Sequence, residues 1–163
     1  MSISETDLLH LRRCVELAGE ALAGGHQPFG SVLVGGDGAV LLEARNETGG
    51  GDQTRHPELD LVLWSVDHLD ADGRAAATTY TSGEHCPMCS AAHAWMGLGR
   101  LVYAVSSAQL SGWLKEWGAA PSPVAALPVQ QVAPGVVVDG PAPSLVEQMK
   151  ALHRRAQDRP TTT

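Results

Sequence analysis

The stretch TSGEHCPMCSAAHAW, residues 81–95, carries two of the three cysteines in the chain, and they lie three positions apart. Cysteines at this spacing are typical of a redox pair, of half a structural zinc site or of part of a catalytic metal centre. An odd total of three cysteines argues against a disulfide framework. Cys86 and Cys89 are therefore candidate metal ligands, and other ligands must come from elsewhere in the chain.

The segment RHPELD, residues 55–60, supplies the next candidates, His56 and Glu58. One imidazole and two thiolates are ligands that zinc prefers. A structural zinc site uses four protein ligands, whereas a catalytic site keeps its fourth position for water. Cys14 is a possible fourth ligand, but its place in an amphipathic helix favours a core residue. The set predicts one Zn²⁺ per chain with an open position, and Glu58 is placed to handle the proton of a bound water.

Hydrophobic periodicity predicts an alternation of helices and strands. Helices are expected over residues 5–23, 57–69, 87–97, 107–117 and 143–157, and strands over residues 29–34, 40–44, 78–82, 100–105 and 128–133. Ser4 and Asp7 form a capping-box pattern at the first helix. The first two strands flank a Gly-Gly-Asp-Gly turn and predict a hairpin. This order predicts an α/β fold with helices on both faces of a mixed sheet.

Length, charge and hydropathy limit the domain size, the partners and the location that we expect for the protein. The 163 residues fit one domain, which we expect to span residues 1–158, followed by a disordered tail over residues 159–163. The net charge of −7 disfavours a nucleic-acid partner, because affinity for phosphates depends on clustered Lys and Arg. The chain has no apolar run long enough for a membrane span, and its start is unlike a secretion signal. These features predict a cytoplasmic protein without a membrane partner.

The two cysteine- and histidine-bearing segments together resemble a known family. HPE at 56–58 followed by CPMC at 86–89 is similar to the signature of zinc nucleobase deaminases. With PFGSVLV at 28–34, Asn46 and Trp95, the chain resembles bacterial guanine deaminases and tRNA adenosine deaminases of the cytidine deaminase superfamily. The resemblance implies a three-layer α/β/α sandwich with a central five-stranded mixed sheet, and a homodimer.

The same resemblance implies a zinc-dependent hydrolytic deaminase. Hydroxide on Zn²⁺ would attack the amine-bearing ring carbon, Glu58 would carry the protons, and ammonia would leave. The substrate would be a small heterocyclic amine, such as guanine or another aminopurine, an aminotriazine or a modified base, which would place the enzyme in purine metabolism. The alternative activity is deamination of adenosine or cytidine in a nucleoside or a tRNA. The alternative of another class is a zinc-stabilised binding domain without catalysis.

Three substrate contacts follow from the resemblance. Asn46 would hydrogen bond the heterocycle, and Phe29 and Trp95 would wall or stack on it. Each residue also has an ordinary interpretation, since Asn46 could end a strand in a turn and the two aromatic residues could belong to the core.

Three residues beside the cysteines complete the candidate site. His85 stands where the family usually has proline, and His93 stands where it usually has an apolar residue. Each histidine is a candidate substrate contact or a locally hydrogen-bonded residue. Glu84 is a candidate substrate contact or a loop acid. The remaining histidines are expected to be solvated: His10, His26, His68 and His153.

Overall fold

A five-stranded mixed sheet forms the centre of the protein in a computed structural model that describes residues 3–159. The strands are β1 (Gly30–Val34), β2 (Val40–Arg45), β3 (Thr78–Gly83), β4 (Leu101–Val105) and β5 (Val138–Asp139). Their order across the sheet is β2-β1-β3-β4-β5. β1 runs antiparallel to β2 and β3, whereas β4 runs parallel to β3 and β5. The predicted mixed sheet is confirmed.

Helices cover both faces of this sheet, as the sequence predicts. They are α1 (Glu5–Ala23), α2 (Pro57–His68), α3 (Ala71–Ala76), α4 (Pro87–Trp95), α5 (Ser107–Glu116), α6 (Val129–Val132) and α7 (Val146–Gln157). Short 3₁₀ turns lie at Thr48–Gly50 and Pro143–Leu145. α1 and α7 share one hydrophobic core cluster with side chains of β1, β3 and β4. α2 packs beside α4 and shares a second cluster with Leu33 of β1. The result is the expected α/β/α sandwich.

A buried ionic network ties α1 to the parallel half of the sheet. The Asp7 carboxylate completes the predicted capping box, since it accepts a hydrogen bond from the Ser4 backbone N–H at 2.8 Å. It also accepts hydrogen bonds from the Tyr80 hydroxyl at 2.8 Å and from Arg100 at 2.7 Å. Burial opposes its ionisation, but the hydrogen bonds, led by that from Arg100, keep the pKa of Asp7 below its usual value. Arg100 also binds Asp139 at 2.7 Å, which anchors the two-residue strand β5.

The structure corrects the prediction of a last strand over residues 128–133. That segment contains helix α6, and the fifth strand is β5 at Val138–Asp139. Val129 and Val132 lie three positions apart, so one helical turn places both on the same side. The Val129 backbone N–H donates to the Glu84 carboxylate at 2.9 Å and so finds a partner at the start of the helix. Helix α3 was also not predicted; the Asp70 carboxylate caps it by accepting from the Gly73 N–H at 2.8 Å.

The ends of the chain are only partly described. Residues 160–163 of the predicted tail lie outside the described residues, as do residues 1–2. Arg159, the first residue of that tail, donates a hydrogen bond to the His26 backbone carbonyl at 3.1 Å. Among the helices of residues 3–159, none has the length and apolar character needed to cross a membrane.

The expectation that His153 is solvated is wrong. Its residue surface is only 4% exposed, because α7 turns this side chain inward beside Met149. The ring centroid lies 5.0 Å from that of Phe29 and 6.5 Å from that of Trp113. The Nε2 atom has no hydrogen-bond partner among the described residues. Burial therefore lowers the pKa of His153 to about 4.

This buried imidazole predicts a pH-dependent loss of stability. Below its usual pKa of 6.5 the unfolded chain binds a proton at His153, whereas the folded protein resists protonation until the pH reaches about 4. The free energy of unfolding should therefore fall as the pH drops through this window, by up to about 3 kcal/mol from this group. His153→Phe should remove this contribution, which urea denaturation between pH 7 and pH 4 would measure.

The matched control is His68→Phe, which removes an exposed histidine from α2. It shows whether the loss of an exposed histidine is by itself enough to change the pH dependence of unfolding. Equal slopes for the wild type and His153→Phe would show that His153 titrates in the folded protein as it does in the unfolded chain.

Candidate metal centre and active site

The three predicted metal ligands come from two helix N-termini. His56 is the N-cap residue of α2, and Cys86 is the N-cap residue of α4; a proline follows each at the first helical position. Proline suits this position, since its missing N–H would have no partner within the helix. Neither N-cap side chain forms a capping hydrogen bond. The ligand atoms of His56 and Cys86 are thus left for another partner, and Cys89 adds a third from the first turn of α4.

The spacing of the ligand atoms fits zinc. The His56 Nδ1 atom lies 3.6 Å from Cys86 Sγ and 3.7 Å from Cys89 Sγ. All three ligand atoms lie within 4.8 Å of one another. Tetrahedral zinc, with bonds of about 2.0–2.1 Å to nitrogen and about 2.3 Å to sulfur, separates such atoms by about 3.6 Å. These residues are therefore positioned to hold Zn²⁺, and a set of three protein ligands leaves one position open.

The two cysteines favour release of one proton even before a metal binds. A hydrogen bond from the Cys89 thiol is the main cause that lowers the pKa of Cys86 to about 4, and His56 lowers it further. The same hydrogen bond raises the pKa of Cys89 above its usual range, because that thiol is the donor of the pair. Metal binding replaces this shared proton, since zinc binds thiolates rather than thiols.

Glu58 lies in the first turn of α2 and lines the same cleft as His56 and Cys86. It is buried, and burial raises the pKa of its carboxyl group to about 7. The Thr81 hydroxyl donates a hydrogen bond to Glu58 Oε1 at 3.0 Å. A carboxyl group with a pKa near neutrality can both accept and release a proton, as a general acid–base catalyst must.

The cleft in front of these residues is small and mostly apolar. Its volume is about 240 Å³, just below the usual range for small-molecule sites, about 300–1,000 Å³. One face of α5 and the segment 122–126 form much of its wall, with Phe29 and Pro87 on other sides. Ser107, Ser111 and Ser122 add hydroxyl groups. No lysine or arginine of residues 3–159 lines it, so it offers no cationic side chain to a phosphate.

Of the predicted substrate contacts, Phe29 lines the cleft, whereas Asn46 is buried and is not among its lining residues. A Cβ atom at Gly83 would lie 3.0 Å from the Phe29 ring, so the ring occupies the space that a side chain at Gly83 would need. The Asn46 Oδ1 atom accepts hydrogen bonds from the Gln27 N–H and from both the N–H and the hydroxyl of Thr48. These donors orient the amide, so only its NH₂ group remains to donate to a substrate.

Glu84 lines the cleft, but its carboxylate is bound to the backbone of two helices. Oε2 accepts from the Ser107 N–H at 2.8 Å, and Oε1 accepts from the Val129 N–H at 2.9 Å. Glu84 thus fixes the first turns of α5 and α6 against the end of β3. Glu84 lies two residues before Cys86, so it links the wall of the cleft to the segment that carries the cysteine ligands.

The structure does not bring Trp95, His85 or His93 into the cleft. Trp95 is the last residue of α4 and is 84% exposed. His85 and His93 are buried and contact each other edge to face, with ring centroids 5.4 Å apart. His93 Nε2 lies 2.9 Å from the Gly99 carbonyl oxygen. These three residues therefore do not line the cleft.

The residues behind Glu58 and the leucines of α5 that line the cleft were not among the predicted site residues. Thr81 and Ser31 lie on β3 and β1 and are fully buried. Their inward direction follows from strand alternation, but nothing in the sequence shows that a helix carboxylate meets them. Leu110 and Leu114 of α5 line the cleft together with Ser107 and Ser111. The sequence shows the helical spacing of these residues, but it does not show that they face the cleft.

Comparison with protein families gives one match over most of the chain. Residues 4–105 match the family model described as the cytidine and deoxycytidylate deaminase zinc-binding region. This range contains His56, Glu58, Cys86 and Cys89, and it ends where β4 ends.

Individual relatives agree with this match. A probable cytosine deaminase from Schizosaccharomyces pombe is 33% identical over 120 residues, which cover 73% of this chain and 72% of the relative. A guanine deaminase from Bacillus subtilis is 38% identical over 96 residues, 58% of this chain and 61% of the relative. Among solved structures, a guanine deaminase from Nitrosomonas europaea superposes with a TM-score of 0.69 at 20% identity, covering 98% of this chain and 87% of that one. The last comparison supports the fold alone.

The ligand geometry predicts one zinc ion per chain, held by His56, Cys86 and Cys89. Cys86→Ser should lose most of the bound zinc, because it replaces a thiolate with a hydroxyl group that binds zinc weakly. Inductively coupled plasma mass spectrometry on freshly purified protein would measure the metal content. The control is Cys14→Ala, which removes a buried cysteine of α1 outside the ligand set and should keep a full complement of zinc. Full zinc content in Cys86→Ser would contradict this ligand assignment.

Proposed function

This chain belongs to the cytidine and deoxycytidylate deaminase family and is an aminohydrolase, and we propose that it releases ammonia from a free nucleobase or a related small amino-heterocycle. The main support for this proposal is that Glu58, His56 and Cys86 line the same cleft. A structural zinc site has no use for a buried carboxyl group beside its ligands. We infer that residues 1–158 form the single domain that carries this activity.

The proposed reaction exchanges a ring amine for oxygen. Zinc held by His56, Cys86 and Cys89 would supply Lewis acidity that activates water for attack on the ring carbon. Glu58 accepts a proton from the attacking water at a carboxylate oxygen and delivers it to a ring nitrogen. A carbon–oxygen bond forms, the carbon–nitrogen bond breaks, and the second water proton leaves with the amine as ammonia. By resemblance to the family, the Asn46 NH₂ group would donate a hydrogen bond that orients the heterocycle, since Gln27 and Thr48 already donate to its Oδ1 atom.

The cleft favours a substrate without a phosphate. Its volume is about 240 Å³, and its wall carries hydroxyl and apolar side chains rather than the lysine or arginine that a phosphate attracts. The chain is also acidic, with a net charge of −7, which opposes a tRNA substrate. The named relatives are a probable cytosine deaminase and a guanine deaminase. These features support a free base, and a purine substrate would place the enzyme in purine metabolism.

We further propose that the enzyme works in the cytoplasm as a homodimer. Thiolate ligands suit a reducing compartment. The helices α2 and α4 pack against each other and carry exposed large apolar side chains, Leu63, Val66 and Trp95. A contiguous exposed apolar patch commonly marks a protein interface, and these side chains belong to two helices that pack together. A second copy of the chain is the partner that would cover them, since aromatic residues are enriched at the centres of such interfaces.

An ammonia-release assay tests the proposed activity. Guanine, cytosine, adenine and an aminotriazine should be compared with the corresponding nucleosides and nucleotides and with a tRNA anticodon stem. We expect turnover of at least one free heterocycle and no turnover of nucleotides. Glu58→Gln should bind zinc normally but lose activity by about 100-fold or more, since it removes the group that transfers protons.

Each unfavourable outcome of this assay has a distinct meaning. Wild-type turnover in Glu58→Gln would contradict the proton-transfer role. Activity only on the tRNA stem would replace the free heterocycle with a tRNA substrate. Zinc-loaded protein that is inactive on the whole set would favour a binding domain without catalysis.

The proposed dimer predicts a change in oligomeric state when charge is placed on the exposed aromatic residue. Trp95→Glu should shift the protein from dimer to monomer in sedimentation-velocity experiments, because burying an unpaired carboxylate in an interface is costly. Leu9→Glu is the control, since Leu9 is an exposed apolar residue of α1. Dimers that persist in Trp95→Glu would place the interface elsewhere.

A further inference from the structure

Two buried hydroxyl groups form a hydrogen-bonded chain behind Glu58. The Thr81 hydroxyl donates to Glu58 Oε1 at 3.0 Å, and the Ser31 and Thr81 hydroxyls are themselves 3.0 Å apart. Both hydroxyl-bearing residues are fully buried, with 0% exposure. They face away from the α1 side of the sheet, toward the face that α2 covers, which is why a carboxylate from the first turn of α2 reaches them.

The chemistry of the three groups sets the direction of these hydrogen bonds. An ionised carboxylate only accepts hydrogen bonds, so the Thr81 hydroxyl must donate its single proton to Glu58. Its oxygen is then left as an acceptor, and the Ser31 hydroxyl donates to it. Both protons of the chain are therefore directed toward the carboxylate. A donor whose own oxygen accepts a hydrogen bond is polarised and becomes a stronger donor.

The sheet holds these hydroxyls rigidly. Ser31 and Thr81 face each other as paired residues of the antiparallel strands β1 and β3. These two strands lie inside the sheet, flanked by β2 and β4, so neither can shift without breaking hydrogen bonds on both sides. Thr is also stiff at its first side-chain torsion. The Thr81 oxygen is thus a fixed point against which the Glu58 side chain is oriented.

We propose that Ser31 and Thr81 are positioning residues that direct the Glu58 carboxylate for proton transfer, an inference that rests on the deaminase function proposed above. The Thr81 hydroxyl donates permanently to Glu58 Oε1. The transferred proton is then carried by Oε2, so one oxygen anchors the carboxylate and the other serves the reaction. Because the carboxylate is held in one orientation, each turnover avoids the entropy cost of fixing it.

The neighbouring residue Thr79 shows that Thr81 does not contact Glu58 merely because a buried hydroxyl group needs a hydrogen-bond partner. Thr79 lies two residues before Thr81 on β3 and points to the same face of the sheet. It is also buried, yet its hydroxyl oxygen has no hydrogen-bond partner among the described residues. The protein therefore tolerates an unpaired threonine hydroxyl on this face. The hydrogen bond between Thr81 and Glu58 is therefore not explained by a need to pair every buried hydroxyl group.

The test is Thr81→Val, which removes the hydroxyl and keeps the side-chain shape. Its kcat for guanine or cytosine, whichever the wild type deaminates faster, should fall by about tenfold to 100-fold, as expected for loss of a hydrogen bond to a charged group. Its KM and zinc content should stay close to the wild-type values. Thr79→Val is the matched control and should change kcat by less than about twofold. Equal effects of the two substitutions would overturn the proposal.

Two further variants separate positioning from a structural effect. Thr81→Ser restores the hydroxyl and should recover kcat to within a few-fold of the wild type, even if it unfolds at a lower temperature. Ser31→Ala should give an intermediate loss, because Thr81 keeps its contact with Glu58 but loses its own donor. Failure of Thr81→Ser to recover activity would also overturn the proposal.

A spectroscopic readout keeps this test separate from that of the proposed function. In zinc-loaded protein labelled with ¹³C at glutamate carboxyl groups, the Glu58 resonance should move in Thr81→Val and stay in place in Thr79→Val. Glu58→Gln assigns that resonance. If the wild type deaminates neither base, the proposed substrates fail while the resonance still tests the contact. An unmoved resonance in Thr81→Val would overturn the inference, whatever the activity of the wild type.

Discussion

The convergence of two helix N-termini on one point is the constraint on which the rest of the site depends. His56 and Cys86 occupy the N-cap positions of α2 and α4 and use their side chains as ligands instead of caps. Each helix therefore presents the positive end of its dipole to the site, and the Cys89 and Leu59 N–H groups donate hydrogen bonds to the sulfurs of Cys86 and Cys89. A metal bound there joins the two helices, so we expect metal binding and the stability of this edge of the sheet to be coupled.

The same constraint places the catalytic candidate. Glu58 is two residues beyond His56, so the helical turn that presents the imidazole to the metal also turns the carboxyl group inward. There it meets hydroxyls that belong to the sheet and not to either helix. Burial raises the pKa of the carboxyl group, whereas its own backbone N–H, the charge of His56 and, least of these, the Thr81 hydroxyl favour the ionised form. The pKa is about 7 as a result, where proton transfer in both directions is efficient.

The sequence was sufficient for features that depend on local spacing, and insufficient for those that depend on distant partners. The capping box at Ser4, the hairpin and the metal ligands each have a local or motif-based signature. The last strand was misplaced because β5 has only two residues and is held by Arg100, far away in sequence. Glu84 could be predicted near the site, but its role in holding α5 and α6 depends on backbone groups of Ser107 and Val129. Trp95 follows the spacing of inward residues, yet it lies where α4 ends and is exposed.

His85 shows how a departure from the family pattern can act without touching the substrate. Both of its ring nitrogens lack a hydrogen-bond partner among residues 3–159, and so does Nδ1 of the adjoining His93. Burial lowers the pKa of each ring, so the pair is neutral and packs as aromatic side chains. Unpaired buried nitrogens cost free energy, and proline at this position would avoid that cost. His85 directly precedes the Cys86 ligand, so the packing of its ring against His93 fixes the backbone from which the first thiolate projects. The role of His85 is therefore better sought in the stability of the ligand segment than in substrate preference.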